Sequence, residues 1–284
     1  MDLIQEIEKL IDIAIKEDIG SGDITSQVCI PDHVRTSGEI VLKQGGVPAG
    51  LCFLEMLYHK IDPEIKVKLL VKEGVYQKAG TSLAKVTGPA RGILSGERVA
   101  LNLIQHASGV ATATHEYARK LTGLKCDILD TRKTLPGLRA LEKYAVLTGG
   151  GKNHRFGLDD RFIIKWNHLS FFSGTSKNPI LEAVNRVKEH SPDIPIEVEI
   201  HDAKDLAAAL ETDAVAIMLC RMSPRLLASC VKKVRKTDKK VYVESLGTIT
   251  QDTVRSFAET GVDGISIGSI THSVPTLDIV LRLK

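Results

Sequence analysis

The sequence predicts an α/β fold in which a parallel sheet or β/α barrel follows a smaller layer of strands and helices. Short apolar runs recur from residue 126 onward, and amphipathic helix-like segments separate most of them. Residues 37–110 instead place strand and helix patterns in separate blocks, which is typical of an independent α+β layer. A chain of 284 residues is long enough for one large or two modest domains.

The first part of the chain begins with a helix and continues with strand patterns. Residues 2–17 place their apolar side chains on one helical stripe, and the glycines within 18–23 then end the helix. Apolar and lysine side chains alternate over 65–71, which predicts a half-buried strand. The other elements predicted here are strands at 39–43 and 82–87, and helices at 51–60 and 96–121.

The second part alternates strands with helices, as in a parallel sheet or barrel. The predicted strands are 126–129, 162–164, 195–200, 214–219, 240–243 and 264–267. The predicted helices are 138–147, 178–190, 203–210, 224–236 and 250–260. A polar residue or a glycine closes nearly every strand, at Asp130, Lys165, Glu199, Cys220, Glu244 and Gly268. In a barrel these ends face one mouth, where catalytic groups converge. An open doubly wound sheet is the alternative, although the sequence has no GxGxxG turn after its first strand.

Cations cluster at the ends of two of these strands and in the glycine-rich loop between them. They are Arg132, Lys133, Lys152, Arg155 and Lys165, and His154 lies beside them. Such a cluster repels itself unless it faces solvent or an anion, and a solvated basic face is one explanation. The glycines at 149–151 favour a ligand, because glycine lets the backbone approach closely. The same glycines are also suited to end the preceding helix, and their spacing does not fit a P-loop.

Composition and charge argue against several classes of function. The net charge is only +3 and aromatic residues make up 4%, so the basic cluster is local and suits a small anion better than a nucleic acid. Five cysteines without a CxxC pair favour reduced thiols in the cytoplasm. The N terminus is acidic, unlike a secretory signal, and no apolar run approaches the roughly 18 residues of a membrane helix.

The longest motifs lie between Asp130 and His168. They are DTRKT, PGLR, LEKYAV, GGGKNHRFGLDD and IKWNH, and further blocks are EDIGSGDIT at 17–25, ERVALN at 97–102, EVE at 197–199, TGVD at 260–263 and THSVP at 271–275. Together they resemble the quinolinate phosphoribosyltransferase family, the carboxylating nicotinate-nucleotide pyrophosphorylases. The resemblance implies an incomplete β/α barrel at 111–271. An open α/β sandwich domain at 1–110 precedes it, and a tail at 272–284 packs back on that domain.

The family joins quinolinate to 5-phosphoribosyl 1-pyrophosphate, releases pyrophosphate and CO₂, and forms nicotinate mononucleotide for NAD biosynthesis. The resemblance therefore implies an enzyme of the pentosyltransferase class with small anionic substrates. Arg132 and Arg155 supply the planar, forked cations that suit a pyridine dicarboxylate. The reaction needs no protein nucleophile. Two alternatives are a related transferase with another acceptor and a non-catalytic anion-binding relative.

The resemblance also implies which residues act. It gives catalytic roles to Lys133, Lys165 and Glu199, and makes Glu199 the candidate ligand for Mg²⁺ bound with the phosphoribosyl donor. The residues implied at the substrates are Arg98, Thr131, Arg132, Lys133, His154, Arg155, Lys165, Glu199, Cys220, Leu246, Gly247, Thr248, Ile267, Gly268 and Ser269. The late loops at Gly247 and Gly268 are expected to bind phosphate through backbone N–H groups, or are ordinary turns. Arg98 matches an arginine that family members supply to the neighbouring subunit. This implies a homodimer with shared sites, with a larger assembly left open; otherwise Arg98 is a surface arginine.

Three positions depart from the family pattern. The family's Asp-Asn pair is Cys220-Arg221 here, its IKDNH motif has Trp166 in place of the aspartate, and its Ser-Gly-Gly turn is 246–248, Leu-Gly-Thr. All three fall near the sugar and phosphate side, whereas the cations expected at the ring carboxylates are intact. A neutral thiol is a poor ligand for a hard cation, so Cys220 is expected to weaken Mg²⁺ binding.

Overall fold

The computed structural model describes residues 2–172, 174 and 176–284. The chain divides into two compact units. The first comprises Met1–His115, Lys133–Gly151 and Ser269–Lys284, and the second comprises Glu116–Arg132 and Lys152–Gly268. The division thus falls inside a long helix, five residues beyond position 110, and the segment 133–151 groups with the first unit.

The first unit is built on a four-stranded antiparallel sheet, in the order β10-β1-β3-β2. Its strands are β1 (Arg35–Leu42), β2 (Lys66–Leu69), β3 (Ser82–Pro89) and β10 (Ile279–Leu283). Its helices are α1 (Leu3–Ile19), α2 (Ile24–Cys29), α3 (Leu54–Ile61), most of α4 (Ala90–Lys120), α5 (Arg139–Thr148) and α11 (Ser269–His272). The C-terminal strand β10 pairs with β1.

Local sequence explains where α1 forms and what it buries. The Asp2 carboxylate accepts a hydrogen bond from the backbone N–H of Ile4, which caps the start of the helix. Ile7 and Ile11, one turn apart, are buried, and the helix ends at Gly20, whose φ is 56°.

The expected burial of β2 was wrong. Leu69 is 41% exposed and Val67 is only half-buried, although Ile65 just before the strand is buried. The cause is position, because β2 is an edge strand that pairs only with β3.

The second unit contains a six-stranded parallel sheet. Its strands are β4 (Asp127–Leu129), β5 (Phe162–Ile164), β6 (Ile196–Ile200), β7 (Ala216–Cys220), β8 (Tyr242–Leu246) and β9 (Gly264–Ser266). Their order is β4-β9-β8-β7-β6-β5. The last strand therefore returns to pair with the first. Within the described residues β4 and β5 are the two edge strands, and the outer edge of β4 forms a single bridge from Leu129 to Lys152. This arrangement confirms the predicted incomplete β/α barrel.

The helices between these strands are α6 (Trp166–Leu169), α7 (Pro179–His190), α8 (Leu206–Leu210), α9 (Pro224–Val234) and α10 (Val254–Ala258). Both α7 and α9 begin with a capping side chain followed by proline, at Asn178 and Ser223. Every residue of β6 and β7 is buried, as expected for parallel strands covered on both faces. Among the described helices, none has the length and apolar character needed to cross a membrane.

The triple glycine ends α5, so the helix-termination interpretation is confirmed. The N–H of Gly149 donates to the carbonyl of Ala145, and Gly150 has a left-handed φ of 88°. A Cβ at Gly149 would lie 2.4 Å from the carbonyl oxygen of Ala111, so this glycine is also required for close packing of α5 on α4.

Candidate active site

A cluster of four polar side chains lies at the carboxyl ends of β5, β6 and β7. Glu199 and His201 are two residues apart in sequence and face the same side, and Cys220 closes the neighbouring strand β7. The Glu199 carboxylate lies between two nitrogen groups, with Oε1 3.0 Å from His201 Nε2 and Oε2 3.4 Å from Lys165 Nζ. We call Lys165, Glu199, His201 and Cys220 the mouth cluster.

The mouth cluster combines buried and open groups. Glu199 is 6% exposed and Cys220 is 2% exposed, whereas the side chains of Lys165 and His201 are partly open to solvent. Burial, followed by the charges of Glu199 and Glu244, raises the pKa of the Cys220 thiol to about 12, so the thiol is neutral at physiological pH. The cluster therefore offers one carboxylate held between Lys165 and His201 and one thiol that carries no charge.

A second, deeper cluster surrounds His154 inside the barrel. Its Nε2 lies 3.2 Å from Oε2 of Glu197 and 3.2 Å from Oε2 of Glu244. The backbone N–H of His154 donates to the Asp130 carboxylate at 2.8 Å, and the Ser266 hydroxyl donates to Glu244 Oε1 at 2.5 Å. We call His154, Glu197, Glu244, Asp130 and Ser266 the inner cluster.

The two carboxylates of the inner cluster favour the protonated form of the His154 ring. Burial alone lowers the pKa of His154, but hydrogen bonding to Glu197 and Glu244 outweighs it and raises the pKa to about 9. Burial also acts to raise the pKa of Glu197, but contact with His154 leaves that pKa below its ordinary value. For Glu244, burial dominates and the pKa is raised. His154 Nε2 thus lies between two carboxylates that are shielded from water.

Two sequence expectations change here. The sequence predicted that His154 binds substrate. Its side chain is only 6% exposed and instead contacts two buried carboxylates in the barrel interior. Glu244 does not close its strand, because β8 continues to Leu246 and Glu244 is buried at its centre.

Arg155 connects the inner cluster to the predicted anion site. The backbone nitrogen of Arg155 lies 2.7 Å from His154 Nδ1, and Nη1 of Arg155 donates to the carbonyl of Arg161 at 2.8 Å. Arg155 is 8% exposed, and within the described residues its Nε makes no hydrogen bond. Burial and then the charge of Arg132 lower the pKa of Arg155. An anion placed between these two guanidinium groups would relieve their repulsion and occupy the remaining donor.

The loops after β7 and β8 lie next to each other. The N–H of Arg221 donates to the carbonyl of Leu246 at 2.8 Å. Arg221 has a φ of 55°, the one positive φ outside glycine among the described residues. A Cβ at Gly247 would meet nothing nearer than the Cα of Arg221 at 3.7 Å, so the protein itself does not require glycine there. Thr248 is exposed and Gly247 is half-buried.

The other predicted site residues are found as follows. Thr131 is half-buried and Arg132 exposed after β4, while Ile267 is buried and Gly268 half-buried after β9. Three more lie in the first unit: Arg98 is exposed on α4, Lys133 is exposed with its carbonyl accepting from the Thr271 hydroxyl, and Ser269 begins α11.

His201 was not predicted, although its sequence position carried a signal. It continues the alternation of Glu197 and Glu199 by one further step of two, which places all three side chains on one face. The sequence could not show that Lys165 and Cys220, from the two neighbouring strands, lie beside it.

The donor set of the mouth cluster does not fit Mg²⁺. Magnesium requires near-octahedral oxygen ligands, and the cluster supplies a single carboxylate that already faces Lys165 and His201. Cys220 adds sulfur rather than oxygen.

Comparison with known proteins gives a consistent result over both units. The family model "Quinolinate phosphoribosyl transferase, N-terminal domain" matches residues 23–108, and the corresponding C-terminal domain model matches residues 110–282. A probable nicotinate-nucleotide pyrophosphorylase [carboxylating] of Bacillus subtilis is 40% identical over 275 residues, covering 96% of this chain and 92% of the relative. A chloroplastic nicotinate-nucleotide pyrophosphorylase [carboxylating] of Oryza sativa is 37% identical, covering 98% and 78%.

Solved structures agree with these sequence matches. The structure of the nicotinate-nucleotide pyrophosphorylase from Francisella tularensis is similar with a TM-score of 0.90 and 33% identity, covering 99% of this chain and 96% of that one. The structure of NadC from Streptococcus pyogenes gives a TM-score of 0.92 at 30% identity, covering 100% and 98%.

Proposed function

The chain belongs to the quinolinate phosphoribosyltransferase family, and on that basis we infer that it is a phosphoribosyltransferase of NAD biosynthesis. It transfers the phosphoribosyl group of 5-phosphoribosyl 1-pyrophosphate to quinolinate and forms nicotinate mononucleotide, pyrophosphate and CO₂. The match to carboxylating relatives over nearly the whole chain is the observation that carries this conclusion. It favours this function over a transferase with another acceptor and over a non-catalytic relative.

For the acceptor, we propose that Arg132 and Arg155 bind the two carboxylates of quinolinate. The support is their mutual repulsion and the remaining Nε donor of Arg155. Each charge-assisted hydrogen bond contributes roughly 1.5–3 kcal/mol, so one lost contact costs about ten- to a hundredfold in binding. His154 then acts through Arg155, because its ring contacts the Arg155 backbone nitrogen at 2.7 Å and fixes the start of that side chain. Lys133, which follows Arg132 in the family motif, is proposed as a further cation for the same carboxylates.

For the donor, we propose that Glu199 accepts hydrogen bonds from the ribose hydroxyls. Lys165 and His201 hold its carboxylate from either side, which limits its rotation. Backbone N–H groups at Gly247 and Gly268, with Thr248 and Ser269 beside them in sequence, are proposed for the phosphate. The absence of a steric reason for glycine at 247 supports this, because the missing side chain leaves room for a ligand.

The chemistry then depends on positioning and electrostatics. The quinolinate ring nitrogen gives its lone pair to the anomeric carbon, and the bond from that carbon to pyrophosphate breaks, with its electron pair leaving on the pyrophosphate oxygen. Lys165 stabilises the developing negative charge. The ring nitrogen is now cationic, so the adjacent carbon can release its carboxylate as CO₂, keep the bonding pair and take a proton from water.

We propose that Mg²⁺ enters with the donor and is held by the donor's own phosphate oxygens. No step above passes through a protein-bound Mg²⁺, because the mouth cluster does not fit that ion. Cys220 and Arg221 are expected to make the dependence on Mg²⁺ shallow.

We also propose a homodimer in which Arg98 of one subunit completes the site of the other. Its support is the family motif at 97–102 and the exposure of Arg98 on α4. A cytoplasmic location is proposed on the five free cysteines, which a reducing compartment preserves.

Separate titrations test the proposed function. The chain is titrated with quinolinate alone, with donor alone and with both, and product is measured in the last case. An active transferase binds each and turns over the pair, whereas binding of both without turnover would support the non-catalytic alternative.

A further inference from the structure

Three different metal-ligating atoms meet at the mouth of the barrel. One ligand atom each from Glu199, His201 and Cys220 lies within 4.8 Å of the other two. Protein ligands of a tetrahedral zinc ion, at about 2.0–2.3 Å from the metal, lie roughly 3.3–3.7 Å from one another. Small side-chain rotations would therefore bring all three atoms onto one ion.

The ligand types of Glu199, His201 and Cys220 favour some metal ions over others. A thiolate, an imidazole and a carboxylate suit zinc and neighbouring divalent transition metals, whereas Mg²⁺ prefers oxygen alone. Three protein ligands leave a fourth position of a tetrahedron open to water or to a ligand oxygen. We propose that Glu199, His201 and Cys220 bind one thiophilic divalent cation, of which Zn²⁺ is the best match.

The surroundings suit such an ion. Glu199 and Cys220 are buried and fixed on adjacent strands, while exposed His201 provides a path from solvent. Lys165 contacts the other oxygen of Glu199 and would orient the carboxylate, as outer-shell partners do in metal sites. On binding, the metal–sulfur bond replaces the S–H bond of Cys220 and the proton passes to water. The His201 proton that faces Glu199 moves from Nε2 to Nδ1 by exchange with water, and the Nε2 lone pair that this frees binds the metal.

The inner cluster provides a contrast. His154, Glu197 and Glu244 also place three ligand atoms within 4.8 Å. All three side chains are buried, and His154 is already engaged with both carboxylates. A metal there would need to expel a proton from a closed site, so the mouth cluster is the better metal site of these two groups.

Metal binding would have a consequence for catalysis that rests on the proposed function. An ion on Glu199 removes the carboxylate proposed for the ribose hydroxyls. Zn²⁺ should therefore inhibit, and raising the concentration of the donor should relieve the inhibition. The binding itself does not depend on any substrate, so it can be tested even if the proposed function fails.

Titration of the full chain with Co²⁺, without substrates, tests the metal site. Cobalt replaces zinc in such sites and its bond to a thiolate gives a charge-transfer absorption band. We expect the band to saturate at one equivalent, to disappear on addition of Zn²⁺ and to persist in excess Mg²⁺. Cys220→Ser should abolish it, while Cys29→Ser, a change at an exposed thiol, should leave it unchanged.

A second variant covers the case in which Cys220→Ser does not fold. His201 is exposed, so His201→Gln is expected to preserve the fold, which circular dichroism would check. It should weaken Co²⁺ binding roughly tenfold or more, and calorimetric titration with Zn²⁺ should show the same loss. A wild-type chain with no cobalt–thiolate band, a band that survives Cys220→Ser, or unchanged affinity in His201→Gln would overturn the proposal.

Discussion

Lys165 and Glu199 form an ion pair at the mouth of the barrel, with 3.4 Å between Nζ and Oε2. The Lys165 side chain is partly exposed, and ion pairs that are open to solvent contribute only about 0–1 kcal/mol to stability. We therefore expect the ion pair to orient the Glu199 carboxylate rather than to stabilise the fold. Glu199→Gln should leave the free energy of unfolding within about 1 kcal/mol of wild type and lower kcat/KM for the donor by about tenfold or more.

Steady-state kinetics with each substrate varied in turn, together with urea unfolding, measure both effects. Glu189→Gln, a change at an exposed glutamate in α7, is the matched control. A variant with normal donor kinetics would remove Glu199 from the donor site.

Complementation between subunits tests whether Arg98 acts on the partner's site. Arg98→Ala and Lys165→Ala should each be inactive alone, and mixing them under exchange conditions should restore part of the activity. Random heterodimers carry one complete site, so recovery should approach about a quarter of wild type. Arg119→Ala, at another exposed arginine of α4, should retain activity in every combination. No recovery after verified subunit exchange would contradict the shared site.

Substitutions at the end of β7 test the residues proposed to weaken Mg²⁺ binding with the phosphoribosyl donor. Cys220→Asp with Arg221→Asn should lower the donor KM and steepen its dependence on Mg²⁺. The expected gain in the free energy of donor binding is about 1–3 kcal/mol, the scale of one or two charge-assisted hydrogen bonds. Donor KM across a Mg²⁺ series measures this. If the donor KM of the wild type already depends steeply on Mg²⁺ and the double variant has the same dependence, Cys220 does not weaken Mg²⁺ binding.

The single change Arg221→Asn separates backbone strain from charge. Asparagine tolerates a left-handed φ better than arginine does, so the variant should be more stable by about 0.5–1 kcal/mol. It should also bind the donor more weakly if the guanidinium contacts pyrophosphate. Thermal unfolding and donor KM report the two effects independently, and an unchanged KM would place Arg221 in solvent.

The His154 imidazolium predicts how stability changes with pH. Its pKa is about 9 in the folded chain and about 6.5 when unfolded, so its contribution is complete below about pH 6.5 and is lost as pH rises through about 9. The expected loss is about 2 kcal/mol across this range, allowing for coupling to Glu197 and Glu244.

Urea unfolding between pH 6 and 10 measures this loss, and His154→Gln should flatten it, whereas His33→Gln, at an exposed histidine, should not. Should His154→Gln fail to fold, imidazole proton NMR of the wild type gives the pKa directly. A titration near pH 6.5 would contradict a buried imidazolium.

The comparison of sequence with structure shows which information is local. The strand at 162–164 was predicted with the bounds it has, because a short apolar run between turns is a strong signal. Helices α6 and α11 have four residues each and α2 has six, too few to show a helical period, and all three were missed. Strand β10 was also missed, since its partner β1 lies more than two hundred residues away in sequence.

In the candidate site, too, some residues could be predicted from local sequence and others could not. Strand ends indicated Lys165, Glu199 and Cys220, and the structure brings these three together with His201. The inner cluster was not predicted, because the pairing of His154 with Glu197 and Glu244 depends on barrel closure that a loop motif does not reveal. The roles proposed for the substrate-binding residues remain predictions.

Release of pyrophosphate and CO₂ from quinolinate and 5-phosphoribosyl 1-pyrophosphate tests the central claim most directly. The account predicts one pyrophosphate and one CO₂ for each quinolinate consumed, with nicotinate mononucleotide as the product. Nicotinate lacks one carboxylate and leaves cations unpaired, so its kcat/KM should be lower by about a hundredfold or more. Equal turnover of the two acids, or binding of quinolinate and donor without release of either product, would contradict the account.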